Sequence, residues 1–483
     1  MAMEYDAVVV GSGPNGLAAA IALQQANLSV LVIEGHTTPG GGLRTAELVG
    51  PGYWSDVCSA IHPMAAGSPF LQTLPLQQFG LEYIHPPVLA AHPQDDGSAA
   101  VLLRDLDATV AALGADGAAY RSLLQPVVKC WPAIAPDILG PLPLPKHPLD
   151  MAAFGFKALQ SATSIAHRFK TEAAKGLWAG MAAHSFLPLQ TATTAAVGLV
   201  LMANGHLGGW PLAKGGSQGI AKAMLAYFQS LGGKVETGRF IHSLEELPKA
   251  KAVLFDIAPR QLLDMAGVSL PAFYRWQLKK YRYGPGVFKV DWALGGPVPF
   301  TAQQCKAAGT VHLGGTLAEI ARSESDVNAG KLNDNPFVLL AQQSLFDATR
   351  APAGKQVLWG YCHVPAGSTA DRTAIIEKQI ERYAPGFRDL IIDKHTYNTQ
   401  ELEAYNPNYI GGDINGGILD IWQLFTRPAL RASPYRTGVK GLYLCSASTP
   451  PGGGVHGMCG FHAARRALKD IWHITLPVPR KQG

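Results

Sequence analysis

The chain has 483 residues, of which 16% are charged, and it carries 53 glycines and 35 prolines; at roughly 100–200 residues per domain it holds two to four domains. A net charge of +5 with no basic tract interleaved with aromatics excludes a nucleic-acid reader, and six cysteines (Cys58, Cys130, Cys305, Cys362, Cys445 and Cys459) without C-x-x-C spacing give no disulfide framework, dithiol centre or metal site. No apolar run reaches the roughly 18–20 residues of a membrane span and no signal-peptide pattern opens the chain, so the expectation is a cytoplasmic protein with a thin charge layer.

Tyr5–Val10 reads as a buried parallel strand. Gly11-Ser12-Gly13-Pro14-Asn15-Gly16 follows, then an Ala/Leu-rich helix over Leu17–Ala26 and a second strand, Ser29–Ile33, ending in Glu34. Gly11 suits the tight turn, Gly13 the approach of backbone to a pyrophosphate, and Gly16 close helix–strand packing. The helix N-terminus favours phosphate, and Glu34 is placed to accept the hydroxyls of an adenosine ribose. An acid there points to FAD or NAD rather than NADP. Pro39-Gly40-Gly41-Gly42-Leu43-Arg44-Thr45 extends the motif with a second close backbone approach and a cation. This extension resembles the second dinucleotide motif of flavoproteins related to amine oxidases and carotenoid desaturases.

Val88–Pro93 and Ser98–Leu103 flank Asp96-Gly97, a hairpin signal. Residues 105–200 read as mostly helical, with proline breaks at Pro126, Pro132 and Leu142–Pro148. Within them Met151–Trp178 sets Phe154, Phe156, Leu159, Ile165, Phe169 and Trp178 among Lys157, Arg168, Lys170 and Lys175. Such a basic amphipathic segment either packs on its own domain or docks peripherally on an anionic membrane. Lys214–Gly219 precedes a helix over Ile220–Leu231 and a strand over Lys234–Ile241. Strands dominate from 285 to 365: Val287–Leu294, then Phe337–Phe346 and Gln356–Val364 around a turn at Ala351–Gly354. Trp359, Tyr361 and His363 share one face, which is core packing or a substrate wall. A helix over Arg372–Tyr383 is expected to be capped at Ser368 or Thr369. The Gly/Asn loop Tyr405–Gly417 includes Ile410, Gly411, Gly412 and Asp413.

A strand at Leu442–Leu444 leads through Ser446, Ala447 and Ser448 to Gly452-Gly453-Gly454-Val455-His456-Gly457 and a helix through Ala463–Leu468. Two prolines separate this strand from the glycines, so the second G-x-G-x-x-G is not a separate NAD site. It reads as a helix N-terminus aimed at the other end of the dinucleotide, where N–H groups near Val455 favour a reduced, anionic flavin.

The segments 427–458, Asp56–Pro63, Gly209–Pro211, Lys214–Gln218 and Arg350–Gly354 together resemble the carotenoid desaturase (phytoene dehydrogenase) family. More narrowly, they resemble the phytoene-dehydrogenase-like oxidoreductases that include the pyridine nucleotide-disulfide oxidoreductase domain-containing protein 2 group; the family's disulfide-reductase label has no cysteine pair behind it here. The resemblance spans essentially the whole chain. It implies an α/β fold in which a Rossmann-like FAD-binding domain (1–80, 209–265 and 426–483) interleaves with an α+β substrate domain containing a mixed sheet (81–208 and 266–425). It also implies a backbone contact to adenine near Ile241. Cys58, Ser59 and His62 would lie on a segment passing the isoalloxazine, and the 410–413 loop on the flavin's substrate side.

The expected cofactor set is Gly11, Gly13, Pro14, Asn15, Gly16, Glu34, Gly41, Gly42, Leu43, Arg44, Ile241, Ser446, Ala447, Gly453, Gly454, Val455 and His456. His62 and His456 are the candidate catalytic bases. The expected function is hydride transfer from an apolar small molecule to FAD, with oxygen, a quinone or another carrier as electron acceptor. An amine oxidase, a redox-neutral isomerase and a flavin-carrying interaction protein stay open, as does the oligomeric state.

Overall fold

The computed structural model describes residues 4–141, 144–265 and 267–479. Its first sheet is five-stranded and wholly parallel, in the order Leu442–Leu444, Ala250–Phe255, Tyr5–Val10, Val30–Ile33, Lys234–Glu236. Alternation along Tyr5–Val10 splits the strand between two cores: Ala7 and Val9 face one, Val8 and Val10 the other. A run buried on both faces is what a covered parallel sheet requires. Helix Pro14–Gln24 lies over one face, with Met458–Ala467 and Gln218–Ser230 packed on it. Small residues set the spacing there: a Cβ on Gly460 would lie 1.7 Å from the Asn15 carbonyl oxygen. On the other face Leu262, Tyr274 and Leu278 complete the core.

The second sheet has seven strands, in the order Ile391–Tyr397, Gly286–Leu294, Gln356–Val364, Val338–Ala341, Ala308–Leu313, Val88–Pro93, Ala99–Leu102. It is mixed: only Ala308–Leu313 and Val88–Pro93 run parallel. One face carries Phe288, Val290, Trp292, Leu340, Leu358 and Cys362 in a core of its own under helix Thr373–Tyr383. The opposite face presents Leu339, Trp359 and Tyr361 toward the larger core shared with the first sheet. The α/β class with a Rossmann-like parallel sheet and a separate mixed sheet is therefore the one expected.

Several local expectations are corrected. Pro126 and Pro132 do not break the chain, and both lie inside one helix, Gly117–Ile138, with Pro136. Pro126 and Pro132 sit on its exposed face, so the carbonyls they leave free lie on the solvent side of the helix. Tyr120, Leu123, Leu124, Val127, Trp131 and Ile134 are buried on the other face, each contributing on the order of 2 kcal/mol. That outweighs roughly 3 kcal/mol per internal proline. The break expected over Leu142–Pro148 includes residues 142–143, which lie outside the described residues; the next helix starts at Pro148.

The strand after Gly232-Gly233 is only Lys234–Glu236, because its partner Val30–Ile33 is four residues long. The strands Val338–Ala341 and Gln356–Val364 do pair, but two 3₁₀ turns, Gln343–Leu345 and Ala348–Arg350, fill the connection. Helix Thr373–Tyr383 is not capped by Ser368 or Thr369; Asp371 Oδ1 accepts the Thr373 N–H instead. In the basic segment, Phe154, Ile165, Phe169 and Trp178 are buried, leaving Phe156 and Leu159 exposed. Most of its apolar side chains thus pack into the larger core. Among the described residues no helix is long and apolar enough to cross a membrane.

Candidate active site

A cavity of about 640 Å³ runs between the two sheets. At one end the turn after Tyr5–Val10 and the helix start at Pro14 line it with Gly11, Gly13, Pro14 and Asn15, beside Glu34 and Ile241. Gly13 is the helix N-cap and Pro14 its first residue, where the missing N–H costs nothing. Gly16 does not reach the cavity. Its added Cβ would sit 2.1 Å from the Gly11 carbonyl oxygen, so only glycine lets turn and helix close.

Asp256 sits beneath this loop, at the end of strand Ala250–Phe255. Its Oδ2 accepts the Gly16 N–H at 2.8 Å and lies 2.7 Å from where a Gly13 Cβ would be. Burial, and then the Glu34 charge, push its carboxyl up to about 7. Sequence reading passed over this residue, although an apolar run closing on Asp256 and Pro259 is the same strand-then-acid pattern that marked Glu34.

Glu34 Oε2 accepts the Ser12 N–H (2.9 Å) and the Ser12 hydroxyl (2.5 Å); Oε1 accepts the His36 N–H (2.8 Å) and Arg44 Nη2 (3.2 Å). All four acceptor positions are filled, so ribose hydroxyls must exchange with the two side-chain donors. Arg44 also donates from Nε to the Thr38 carbonyl (2.8 Å) and lies over the Tyr405 ring. Its buried Nη1 and Asn15 Oδ1 have no partner. An unpaired guanidinium nitrogen beside a glycine turn is the donor a diphosphate needs. The residues therefore fit a dinucleotide. Gly41 and Gly42 line the same stretch, whereas Leu43 points into the core.

The middle of the cavity is lined by Ser446, Ala447, Gly454 and Val455 from one side and Cys58, Ser59 and His62 from the other. Gly453 does not line it; the glycine backs onto Asn415, whose carbonyl oxygen would be 2.7 Å from an added Cβ. His456 does not line it either. Its Nδ1 accepts the Met458 N–H at 3.0 Å, so the ring caps the helix Met458–Ala467, and burial lowers its pKa to about 4. Its place off the cavity, with Nδ1 already engaged, is what removes His456 as a base there. Burial also raises the Cys58 thiol, so it is a neutral group beside Tyr409 rather than a thiolate.

His62 is held firmly. Its Nε2 lies 2.8 Å from the Ser217 hydroxyl, which donates to the Ser59 carbonyl at 2.5 Å. Ser217 is fixed through its own N–H to Asp56 Oδ1 (2.8 Å), and Asp56 pairs with the buried Arg350 at 2.8 Å. Burial is the strongest single influence on Asp56 and works to raise its pKa; Arg350, Ser217 and Thr45 together hold it below the usual range. Burial lowers His62 to about 4, with Asp56 opposing.

The far end is apolar, lined by Ile61, Met64, Leu201, Trp210, Leu339, Trp359 and Tyr361. His363 is not part of this wall. It lies beyond Tyr361 along the same strand face and pairs with the buried Glu324 at 2.8 Å. Ile410, Gly411, Gly412 and Asp413 also miss the cavity, while their neighbours Tyr409 and Ile414–Gly416 line it. Asp413 folds the loop by accepting N–H groups from Gly284, Asn415 and Gly417. His184 is a lining residue that sequence reading missed. It caps helix Glu172–Ala183, and its Nε2 lies 3.1 Å from His312 Nε2. Gly176 and Gly180, two turns and one turn earlier on the same helix face, make room for the rings of His92 and His312. Among the described residues no cluster of His, Cys, Asp or Glu could hold a metal.

The NAD(P)-binding Rossmann-like domain family matches residues 9–72. Over 97% of this chain and 94% of the relative, the sequence is 25% identical to mouse pyridine nucleotide-disulfide oxidoreductase domain-containing protein 2. It is likewise 25% identical to hydroxyneurosporene desaturase of Rhodobacter capsulatus, over 97% of this chain and 99% of that one. A solved structure of a putrescine oxidase double mutant superimposes with a TM-score of 0.60 at 16% identity, covering 97% of this chain and 99% of that one. The chain thus has the fold of the FAD-dependent oxidoreductase superfamily that holds the amine oxidases and carotenoid desaturases, and FAD is the dinucleotide its cradle takes.

Proposed function

We propose that this oxidoreductase dehydrogenates a largely apolar small molecule in the cavity next to His62. The observation that carries the reading is the distribution of charge along the cavity. Glu34 and Asp256, which flank the glycine turn, and Asp264 are its only lining carboxylates among the described residues. The end walled by Leu201, Leu339, Trp210 and Trp359 has none. A cationic amine buried there would lack a counter-charge, whereas a hydrocarbon-like substrate gains from the burial.

FAD, when bound, supplies a hydride acceptor. The chain's own residues exclude water, orient the donor carbon and handle the proton. Leu339, Trp359 and Tyr361 form a rigid wall because they stand on paired strands of the mixed sheet. Ser217 holds the proton of His62 on Nε2, leaving the Nδ1 lone pair to accept a proton from a substrate O–H or N–H. A pure carbon–carbon desaturation needs only the positioning.

The test is anaerobic mixing of the FAD-loaded protein with a panel of terpenoid, fatty-acyl and amine compounds while the flavin absorption band is followed. Bleaching by an apolar compound, restored by oxygen or a soluble quinone, is the expected result. Bleaching by amines alone, or a photoreduced flavin that no acceptor re-oxidises, refutes the reading.

A further inference from the structure

Five large apolar side chains are exposed on two helices and the segment after them on the outside of the molecule, and three of them wall one groove. Helix Ala272–Lys279 buries Tyr274 and Leu278 but leaves Phe273 and Trp276 more than half exposed, their rings stacked at 5.7 Å. Helix Ile421–Thr426 exposes Trp422 and Phe425, and Leu430 follows, also exposed. Trp276, Trp422 and Leu430 wall the same groove of about 250 Å³. Single exposed apolar residues are ordinary on a surface, but a cluster of this kind marks a contact.

The rim is basic. Arg275, Lys279, Lys280 and Arg282 are exposed, and no acid interrupts residues 271–282. Arg431 packs over the Tyr274 ring. The carboxylate on the second helix, Asp420, is already engaged: it caps that helix through the Gln423 N–H at 2.8 Å and pairs with Arg282 at 2.5 Å.

This face also backs directly onto the cavity wall. Tyr281, just past the first helix, donates to the Gly416 carbonyl at 2.7 Å. Arg427, just past the second, donates to the Ala447 carbonyl at 2.8 Å. Gly416 and Ala447 both line the cavity. The buried Tyr281 and Arg427 side chains thus tie the base of this face to backbone that lines the cavity.

We propose that this face docks on an anionic lipid surface. Charge selects that occupant: a second copy packed about a two-fold axis would set the basic rim against itself. Tryptophan and phenylalanine flanked by lysine and arginine are the groups that enter the lipid interface while their charges stay with anionic headgroups. The inference does not depend on the substrate reading, and lipid binding is measurable whatever the flavin reacts with.

The test is co-sedimentation of the full-length, FAD-loaded protein with vesicles of phosphatidylcholine plus phosphatidylglycerol, against phosphatidylcholine alone. Binding is expected only with the anionic lipid, weakening as salt rises, with a blue shift of indole fluorescence. Lys279→Glu with Lys280→Glu, and separately Trp422→Ser with Phe425→Ser, should each weaken binding by about tenfold or more. Flavin content and circular dichroism report folding in each variant. No sedimentation with anionic vesicles overturns the proposal, as does unchanged binding by both folded double variants. Conversion of a dimer to a monomer by the Trp422/Phe425 variant, with vesicle binding intact, assigns the face to a second copy and overturns it as well. So does binding of polyglutamate, an acidic-chain probe, where vesicles fail.

Discussion

His62 Nε2 and the Ser217 hydroxyl lie 2.8 Å apart, and the direction of that hydrogen bond is fixed by a third atom. Ser217 spends its one proton on the Ser59 carbonyl. It can therefore only accept from the imidazole, so His62 carries its proton on Nε2. Nδ1 lies 3.5 Å from the Ser59 hydroxyl. Because burial lowers the His62 pKa to about 4, the ring is neutral at neutral pH. Nitrogen-15 spectra of the imidazole should show a single neutral Nε2–H tautomer, and Ser217→Ala should broaden it into a mixture. A Nδ1–H ring in the unmodified protein would remove His62 as the proton acceptor.

Glu34 and Arg44 make the next case. Replacing Glu34 with Ala leaves a buried guanidinium and the N–H groups of Ser12 and His36 without their acceptor. Losing one partner of such a buried pair costs about 3–5 kcal/mol. Glu34→Ala should therefore purify with little flavin, and its apoprotein should also melt lower. Glu34→Gln keeps an acceptor oxygen and should retain more cofactor. Titration of each apoprotein with FAD measures both effects, and equal affinity in all three forms would contradict the role assigned to Glu34.

The dinucleotide half of the site was legible because its chemistry is local in sequence. A strand, a glycine turn, a helix and a terminal acid lie within Tyr5–Glu34, and the physics that binds a diphosphate demands that order. The other half is assembled from distant segments. His62 looks like any histidine until Ser217, 155 residues away, is seen beside it. Asp256 reaches Gly16 across 240 residues. His363 and His456 were misplaced for a related reason. His363 does share the face of Trp359 and Tyr361, but it lies further along the strand, where Phe186 and Glu324 cover it; the His456 ring turns from its glycine loop to the Met458 N–H. The same holds for Asp413, whose three backbone partners turn its loop so that Tyr409 and Ile414 face the cavity instead.

Asp256 makes stability depend on pH with a definite sign. Its folded-state pKa is raised from 3.8 to about 7 by burial, and further by Glu34. The folded chain thus binds more protons than the unfolded chain between those values, and stability from this group is lost as pH rises through 7. Asp256→Asn removes the titration while its side-chain oxygen still accepts the Gly16 N–H. The variant apoprotein should gain on the unmodified one as pH rises from about 4 to 8, by on the order of 4 kcal/mol. Denaturant melts across that range give the difference directly. A pH-independent difference would mean that Asp256 is charged throughout.

The glycines of helix Glu172–Ala183 bear on how the cavity histidines are held. Glycine inside a helix ordinarily costs roughly 1 kcal/mol relative to alanine. At Gly155, in helix Pro148–Ala158, an added Cβ meets nothing within 4 Å, so Gly155→Ala should stabilise the protein by about that amount. At Gly180 the added Cβ would lie 2.7 Å from His312 Nδ1 and 2.9 Å from its Cβ. The second of these atoms belongs to a strand and cannot swing away. Overpacking of this kind costs roughly 1–3 kcal/mol, enough to cancel or reverse the propensity gain. Gly180→Ala should therefore destabilise, and it should displace the His312 ring from its 3.1 Å contact with His184. Thermal melts of the two variants, with histidine ring resonances for the second, separate the cases. Equal stabilisation by both substitutions would show that the helix does not need Gly180 to admit the histidine.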